Sequence, residues 1–125
     1  MTKSKKILII DDDMDFRETA KIILEAEHYE VLEAADGETG LDMIVNEKPD
    51  FIFLDVMMEE VDTGYQMAQK IESLQLETPV VILSSFADAA KNMFDVTVIP
   101  VKEYLQKPLK SEQLVAVVKK YLEEI

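Results

Sequence analysis

Four aspartates follow two apolar segments that have the pattern of buried strands. Three of them, at 11–13, come directly after residues 7–10, and Asp55 comes directly after residues 51–54. An uninterrupted apolar run bounded by turn-forming residues is typical of a strand buried on both faces of a parallel sheet. In open α/β sheets, ligands bind beyond the carboxyl ends of such strands. Clustered carboxylates repel one another, and Mg²⁺ suits one or two carboxylates together with a phosphate. The sequence therefore predicts a metal and a phosphoryl group at one edge of a sheet.

Size and composition indicate one globular domain. A chain of 125 residues with 48% hydrophobic and 31% charged residues is long enough for a single sizeable core. The sequence has no cysteine, which excludes disulfides, thiolate metal sites and a cysteine nucleophile. The apolar run after the basic N-terminus is too short for a signal peptide, and no stretch is long enough to span a membrane. We therefore expect a cytoplasmic protein without a membrane partner.

The net charge of −13 limits the choice of partner. Binding to nucleic acid depends on lysine and arginine contacts with phosphates, so such an acidic chain is not expected to bind nucleic acid directly. Most of the acidic residues are expected to serve solubility. The cluster at 11–13 differs because it adjoins a buried strand.

Strand-like and helix-like segments alternate along the whole chain. The predicted strands lie at about 5–10, 29–34, 50–55, 79–84 and 102–106. The predicted apolar helix faces contain Phe16, Ala20, Ile23 and Leu24; Leu41, Ile44 and Val45; and Leu114, Val117, Val118, Tyr121 and Leu122. Five such alternations predict an α/β fold in which helices cover both faces of a parallel sheet.

Turn and capping residues agree with this division. Asp36 and Gly37 form a turn signal after the second strand, and Ser111 with Glu112 is expected to begin and cap the last helix. Asp13 is expected to start the first helix. Residues 86–101 are harder to interpret: we expect a short helix followed by an extended, partly buried connection.

Four segments, in order and each at a strand end, resemble the receiver domain of bacterial response regulators. They are Ile7-Leu8-Ile9-Ile10-Asp11-Asp12, Phe51-Ile52-Phe53-Leu54-Asp55-Val56-Met57-Met58, Pro79-Val80-Val81-Ile82-Leu83-Ser84-Ser85 and Tyr104-Leu105-Gln106-Lys107-Pro108-Leu109. The resemblance covers nearly the whole chain. It implies a flavodoxin-like, doubly wound (βα)₅ three-layer sandwich with strand order 2-1-3-4-5.

The resemblance also implies a role for each acidic residue. Asp55 would be the phospho-acceptor, a carboxylate that attacks a phosphoryl group to form an acyl phosphate. Asp12 would bind Mg²⁺ directly, and Asp11 would act nearby or through water. Asp55 and the backbone carbonyl of Met57 would complete the protein ligands.

Further roles follow from the segments after the fourth and fifth strands. Lys107 would supply a positive charge to a phosphate oxygen, and Pro108 would follow a cis peptide bond. Ser84 would donate its hydroxyl to the phosphoryl group, and Tyr104 would report that event by changing rotamer.

Other positions affect the lifetime of the phosphoryl group or the end of a helix. In receivers, the residues two beyond the acceptor and two beyond the switch hydroxyl flank the path of the hydrolytic water. Here they are Met57 and Phe86, which cannot orient a water, so we expect a long-lived phosphoryl group. His28 occupies the position of a helix-ending glycine and is expected to lie in a C-terminal cap.

The chain departs from the family pattern at several positions: Glu59 follows Met58 where the family usually has Met-Pro, Ser84 replaces the commoner threonine, and Ser85 replaces a small alanine. Gly64 lies nine residues beyond Asp55 rather than eight, so the loop at 59–64 is expected to be one residue longer. Pro100 and Val101 replace the usual Gly-Ala before the fifth strand, so the face of the family's fourth helix is expected to differ.

Three alternatives have some support in the sequence. The Asp11-x-Asp13 spacing resembles haloacid-dehalogenase phosphatases, but these need a second acidic pair late in the chain, where residues 99–110 offer only Glu103. Asp11, Asp13 and Asp15 resemble the start of an EF-hand loop, but Phe16 replaces the required glycine. The third alternative is a receiver-fold interaction module that is not phosphorylated.

The sequence therefore predicts a signalling receiver rather than an enzyme, catalysing only its own phosphoryl transfer and slow dephosphorylation. Its donor would be a histidine kinase or histidine phosphotransfer protein, and its downstream target would be another protein. We expect a monomer or a weak dimer. With only three residues after Leu122, we expect no output domain, although the chain could also be an excised part of a larger regulator.

Overall fold

A computed structural model describes residues 4–55, 70, 73–74, 77–84 and 101–123, with only the backbone described for Ser84 and Val101. Five strands form one parallel sheet in the order β2-β1-β3-β4-β5. The strands are β1 (Lys6–Ile10), β2 (Glu30–Ala34), β3 (Phe51–Asp55), β4 (Val80–Ser84) and β5 (Val101–Gln106). The described helices are α1 (Met14–Ala26), α2 (Gly37–Glu47) and, at the C-terminal end, α3 (Ser111–Leu122). This arrangement confirms the predicted flavodoxin-like fold and strand order.

The core lies on both faces of the three inner strands, β1, β3 and β4. In β1, Leu8 and Ile10 face the layer that contains α2, whereas Ile7 and Ile9 face the layer that contains α1 and α3. All four side chains are fully buried. Because successive strand residues point to opposite faces, a strand covered on both sides must be apolar at every position. The continuous apolar runs in the sequence follow from this burial.

The ends of α1 are fixed by Asp13 and His28. The Asp13 carboxylate accepts hydrogen bonds from the backbone N–H groups of Asp15 and Phe16, so Asp13 is the N-cap. His28 has a φ of 72°, the left-handed conformation of a residue that ends a helix. The Tyr29 N–H then donates to the Leu24 carbonyl at 3.2 Å. Both cap predictions are confirmed.

Helix α3 begins at Ser111 as expected, but its cap differs from the prediction. Lys110 is the N-cap residue, and its backbone N–H donates to Gln113 Oε1 at 2.9 Å. The capping role assigned to Ser111 and Glu112 was therefore wrong. The third residue of the helix, whose side chain can reach back over the first turn, makes the capping hydrogen bond instead.

Val45 was also assigned wrongly to the buried face of α2. Val45 is 56% exposed, whereas Ile44 is buried. The helix approaches the sheet closely at Gly40, where an added Cβ would lie 2.6 Å from Ile10 Cδ1. The contact line therefore runs through Gly40 and Ile44, one turn apart. Val45 is rotated about 100° from that line and faces outward.

Several predictions fall on parts of the chain that the structure does not describe. They concern Met57, Phe86, the side chain of Ser84, the loop at 59–64 and residues 86–100. Among the described residues, no helix has the length and apolar character needed to cross a membrane.

Candidate metal and phosphoryl site

The sheet brings the first and third strands together at the edge where the aspartates lie. Strands β1 and β3 are neighbours, and Ile10 pairs with Leu54 in their parallel register. Asp11 therefore follows one strand at the level where Asp55 ends the other. The Asp11 backbone N–H donates to the Ala34 carbonyl at 3.0 Å, and this hydrogen bond ties Asp11 to β2, the strand on the other side of β1.

Three carboxylates meet at this edge. One oxygen from each of Asp11, Asp12 and Asp55 lies within 4.8 Å of the other two. Asp11 and Asp55 are buried, with residue exposures of 0% and 4%, whereas Asp12 is exposed. The site therefore combines two acids shielded from water with a third at its mouth.

Lys107, directly after β5, brings a positive charge to the two buried acids. Its Nζ lies 2.5 Å from Asp11 Oδ2 and 3.4 Å from Asp55 Oδ2. The second oxygen of Asp11 accepts the Asp13 N–H at 2.9 Å. The peptide bond between Lys107 and Pro108 is cis, as the resemblance implied.

Burial and nearby charges shift the pKa values of Asp11 and Lys107. Burial raises the pKa of Asp11 to about 6, aided by the nearby charge of Asp55 and opposed by the hydrogen bonds from Lys107 and Asp13. For Lys107, burial alone would lower the pKa, but the hydrogen bonds and charges of Asp11 and Asp55 outweigh it and raise the pKa. The lysine is therefore held firmly in its charged form.

The donor set fits a hard divalent cation. It consists of carboxylate oxygens, and one ammonium group pairs with only two of the three acids among the described residues. The cluster thus keeps an excess of negative charge in a partly buried place, where an additional cation would be favourable. Oxygen ligands of this kind are those that Mg²⁺ prefers.

The two proposed switch residues lie on neighbouring strands. Ser84 ends β4 and pairs with Gln106 of β5, so its backbone is at the same edge as Asp55. Tyr104 is half-buried, pairs with Ile82 and packs against the core layer that contains α2. Burial raises the pKa of the Tyr104 phenol.

Two residues at the site were not identified from the sequence. The ring of Phe16 lies under Lys107, with Nζ 4.6 Å from its centroid. Arg17 donates from Nη1 to the backbone carbonyl of Asp11 at 2.6 Å. Both lie in the first turns of α1, directly after the acidic cluster, and this proximity in sequence was the available signal.

The strand order and the acidic pocket together define a class of protein, a doubly wound α/β domain with clustered carboxylates at the carboxyl edge of its sheet. A family model described as the response regulator receiver domain matches residues 7–119. The chain therefore belongs to the response regulator receiver domain family.

Solved structures agree with this membership. The chain is similar to a CheY-like response regulator receiver domain protein from Methanospirillum hungatei, with 28% identity and a TM-score of 0.87 over 97% of this chain and 95% of the other. It is also similar to the chemotaxis protein CheY4 of Vibrio cholerae, with 26% identity and a TM-score of 0.85 over 96% of this chain and 100% of the other.

Curated relatives fall into two size classes. Protein PilG of Pseudomonas aeruginosa is 34% identical, and the match covers 94% of this chain and 87% of PilG. The probable transcriptional regulator ycf27 of Cyanophora paradoxa is 32% identical, but the match covers 94% of this chain and only 48% of that protein. The chain thus spans about half the length of several curated relatives that it matches.

Proposed function

We propose that this receiver domain accepts a phosphoryl group on Asp55 in a two-component phosphorelay. The observation that carries the proposal is the buried Asp55 carboxylate, which ends β3 beside Asp11 and Asp12 and lies 3.4 Å from Lys107 Nζ. Phosphoryl transfer to aspartate requires a carboxylate nucleophile, a positively charged hydrogen-bond donor and acidic groups that can hold a metal cation. Asp55, Lys107 and the acidic cluster are candidates for these three parts. The receiver-fold module that is not phosphorylated has no observation in its favour.

In the proposed reaction, a side-chain oxygen of Asp55 attacks phosphorus while the bond from phosphorus to the donor's imidazole nitrogen breaks. The product is an acyl phosphate on Asp55, and the electron pair of the broken bond stays with the donor's histidine. Asp12, Asp55 and the backbone carbonyl of Met57 would hold Mg²⁺, with Asp11 nearby or acting through water. When bound, Mg²⁺ would neutralise charge on the transferring group.

Among the described residues, Lys107 has two acceptors before phosphorylation, and a phosphoryl group would supply a further one. A phosphoryl group on Asp55 would bring oxygens that compete with Asp11 for the Lys107 ammonium group. The Ser84 hydroxyl would donate to the same phosphoryl group, and Tyr104 would change rotamer in response. Because Ser84 and Tyr104 lie on β4 and β5, this edge of the sheet is the expected route to a downstream target.

The proposed donor is a histidine kinase or a histidine phosphotransfer protein, and we expect the exchange to take place in the cytoplasm. The response regulators and the chemotaxis protein among the similar proteins support this class of partner. In this proposal the chain acts as a signalling receiver, and its only catalysis is its own phosphoryl transfer and slow dephosphorylation. The downstream target would be a protein contacted differently in the two states.

Stoichiometry of labelling tests the proposal. The protein is incubated with Mg²⁺ and the small-molecule phosphodonor phosphoramidate, and intact mass and phosphate release are followed together. We expect about one phosphoryl group per chain and little continuing release. Absence of any added mass would support the scaffold alternative, and many turnovers without labelling would support a phosphatase.

A further inference from the structure

Arg17 connects three elements at the edge of the metal site. Its side chain is only 14% exposed although it lies near the start of α1. Nη1 donates to the backbone carbonyl of Asp11 at 2.6 Å, and Nε donates to Glu33 Oε1 on β2 at 3.1 Å. The planar guanidinium group therefore joins β2 to the first residue beyond β1.

This contact fixes the peptide unit between Asp11 and Asp12. The N–H of Asp11 is already held by the Ala34 carbonyl at 3.0 Å, and Arg17 holds its carbonyl. Because a peptide unit is planar, the direction of the Asp11 carbonyl sets the plane that leads to the Asp12 Cα. The direction of the Asp12 side chain depends on that plane.

We propose that Arg17 is a positioning residue for the metal site, acting through the Asp11 carbonyl to fix the Asp12 carboxylate. This inference rests on the proposed function of the site. Asp12 needs such support because its own side chain is exposed, unlike those of Asp11 and Asp55. Replacing a residue that orients a metal ligand without binding the metal itself typically weakens metal binding about 10–100-fold.

Lys21 provides a matched control within the same helix. Its Nζ lies 3.8 Å from Glu33 Oε2, so Lys21 and Arg17 pair with the same carboxylate. Within the described residues, Lys21 makes no hydrogen bond to Asp11. Replacing either residue by methionine removes one positive charge and one ion pair with Glu33, but only the change at Arg17 releases the Asp11 carbonyl.

The test measures Mg²⁺ affinity by calorimetry for Arg17→Met, Arg17→Lys and Lys21→Met. Arg17→Met is expected to weaken binding about tenfold or more, and Lys21→Met is expected to stay within about twofold of the parent. Arg17→Lys is expected to resemble Arg17→Met, because one ammonium group cannot reproduce the fork that joins Asp11 to Glu33. Full recovery in Arg17→Lys would show a charge effect and overturn the proposal, as would equal losses in Arg17→Met and Lys21→Met.

A second measurement needs no metal. The Asp13 N–H donates to Asp11 Oδ1 at 2.9 Å, so its hydrogen exchange reports the order of this turn. Faster exchange is expected in metal-free Arg17→Met but not in Lys21→Met, and identical rates would contradict the inference. If the parent protein binds no Mg²⁺, the proposed function fails, whereas the exchange comparison still tests Arg17.

Should Arg17→Met not fold, Glu33→Gln is the second variant, and Mg²⁺ binding no weaker than in Lys21→Met would overturn the proposal.

Discussion

Strand β5 and the turn after it take part in two groups of charged residues with different surroundings. At the carboxyl edge of the sheet, Lys107 pairs with Asp11 and Asp55, whose side chains are 0% and 6% exposed. Further back along the strand, Glu103 accepts hydrogen bonds from Lys120 at 2.8 Å and Tyr121 at 2.7 Å, and Lys120 is 62% exposed. Among the described residues, the first group is the more deeply buried and contains more acid than base, whereas the second is more exposed to water and balanced in charge.

The difference separates two uses of charge. Exposed ion pairs contribute little to stability because water and salt screen them. Buried acids are costly unless they are paired, so a pocket whose described acids outnumber its described bases is held in that state by the rest of the fold. An unbalanced buried group of this kind is typical of a functional site. The edge with Asp55 is therefore where a cation and a phosphoryl group are expected.

The largest effect on stability is expected from Lys107. Lys107→Met leaves Asp11 and Asp55 buried without their cation, so the metal-free protein should lose about 2–4 kcal/mol of unfolding free energy near neutral pH. Breaking a buried ion pair can cost more unfolding free energy than this. A larger loss is not expected here, because Asp11, with a pKa of about 6, can take up a proton. Urea unfolding measures the loss, with Lys120→Met as the exposed control. Equal losses in both variants would contradict the distinction between the two groups.

Mg²⁺ should stabilise the buried group of charges at Asp11 and Asp55 and should not affect the ion pair between Glu103 and Lys120. The cation relieves repulsion among Asp11, Asp12 and Asp55, so saturating Mg²⁺ should stabilise the fold by about 1–3 kcal/mol through mass action. Thermal unfolding with and without Mg²⁺ measures the gain, and Asp12→Ala should lose most of it. A parent protein whose melting temperature is indifferent to Mg²⁺ would count against the site.

The lifetime of the phosphoryl group is expected to depend on Met57 and Phe86. Neither side chain can orient a water molecule, so phospho-Asp55 should decay over many minutes or longer. A tenfold change in rate corresponds to about 1.4 kcal/mol in the barrier, and positioning of a nucleophile can account for several times that amount. Mass spectrometry follows the decay, and Met57→Asn with Phe86→Glu should accelerate it. A half-life of seconds, or no acceleration in the double variant, would refute this prediction.

The smallest effect is expected at Glu103. Burial opposes ionisation, but the hydrogen bonds from Lys120 and Tyr121 outweigh it, so the pKa of Glu103 is lowered. A lowered pKa adds stability above the unfolded value of 4.5, and this contribution disappears as the pH falls through the folded pKa. Glu103→Gln should therefore be slightly less stable than the parent at pH 7, and the difference should shrink as the pH is lowered toward 2. Unfolding at both pH values measures the difference, and a gap that persists in acid would argue against this ion pair as its source.

The sequence predicted the sheet well because its central strands are buried on both faces. Continuous apolar runs such as Phe51–Leu54 leave few other interpretations, and the acidic residues after them predicted the edge at which the site lies. Local capping by Asp13 and His28 was also readable, because caps depend on neighbouring residues.

Features that depend on distant contacts could not be predicted in the same way. The outward position of Val45 follows from the close approach of Gly40 to Ile10, which the periodicity of α2 does not encode. The pair of Lys107 with Asp11 joins residues 96 positions apart. Arg17 joins Asp11 to Glu33 across two strands and a helix, and only the folded chain brings these groups together.

The central claim is that Asp55 is the phospho-acceptor, and intact-mass analysis of the parent and Asp55→Asn tests it most directly. Asparagine keeps the shape of the side chain but removes the anionic nucleophile. After treatment with phosphoramidate and Mg²⁺, the parent should gain one hydroxylamine-sensitive phosphoryl group, which fragmentation should locate on Asp55. The variant should gain none. A hydroxylamine-sensitive phosphoryl group on Asp55→Asn would contradict the assignment.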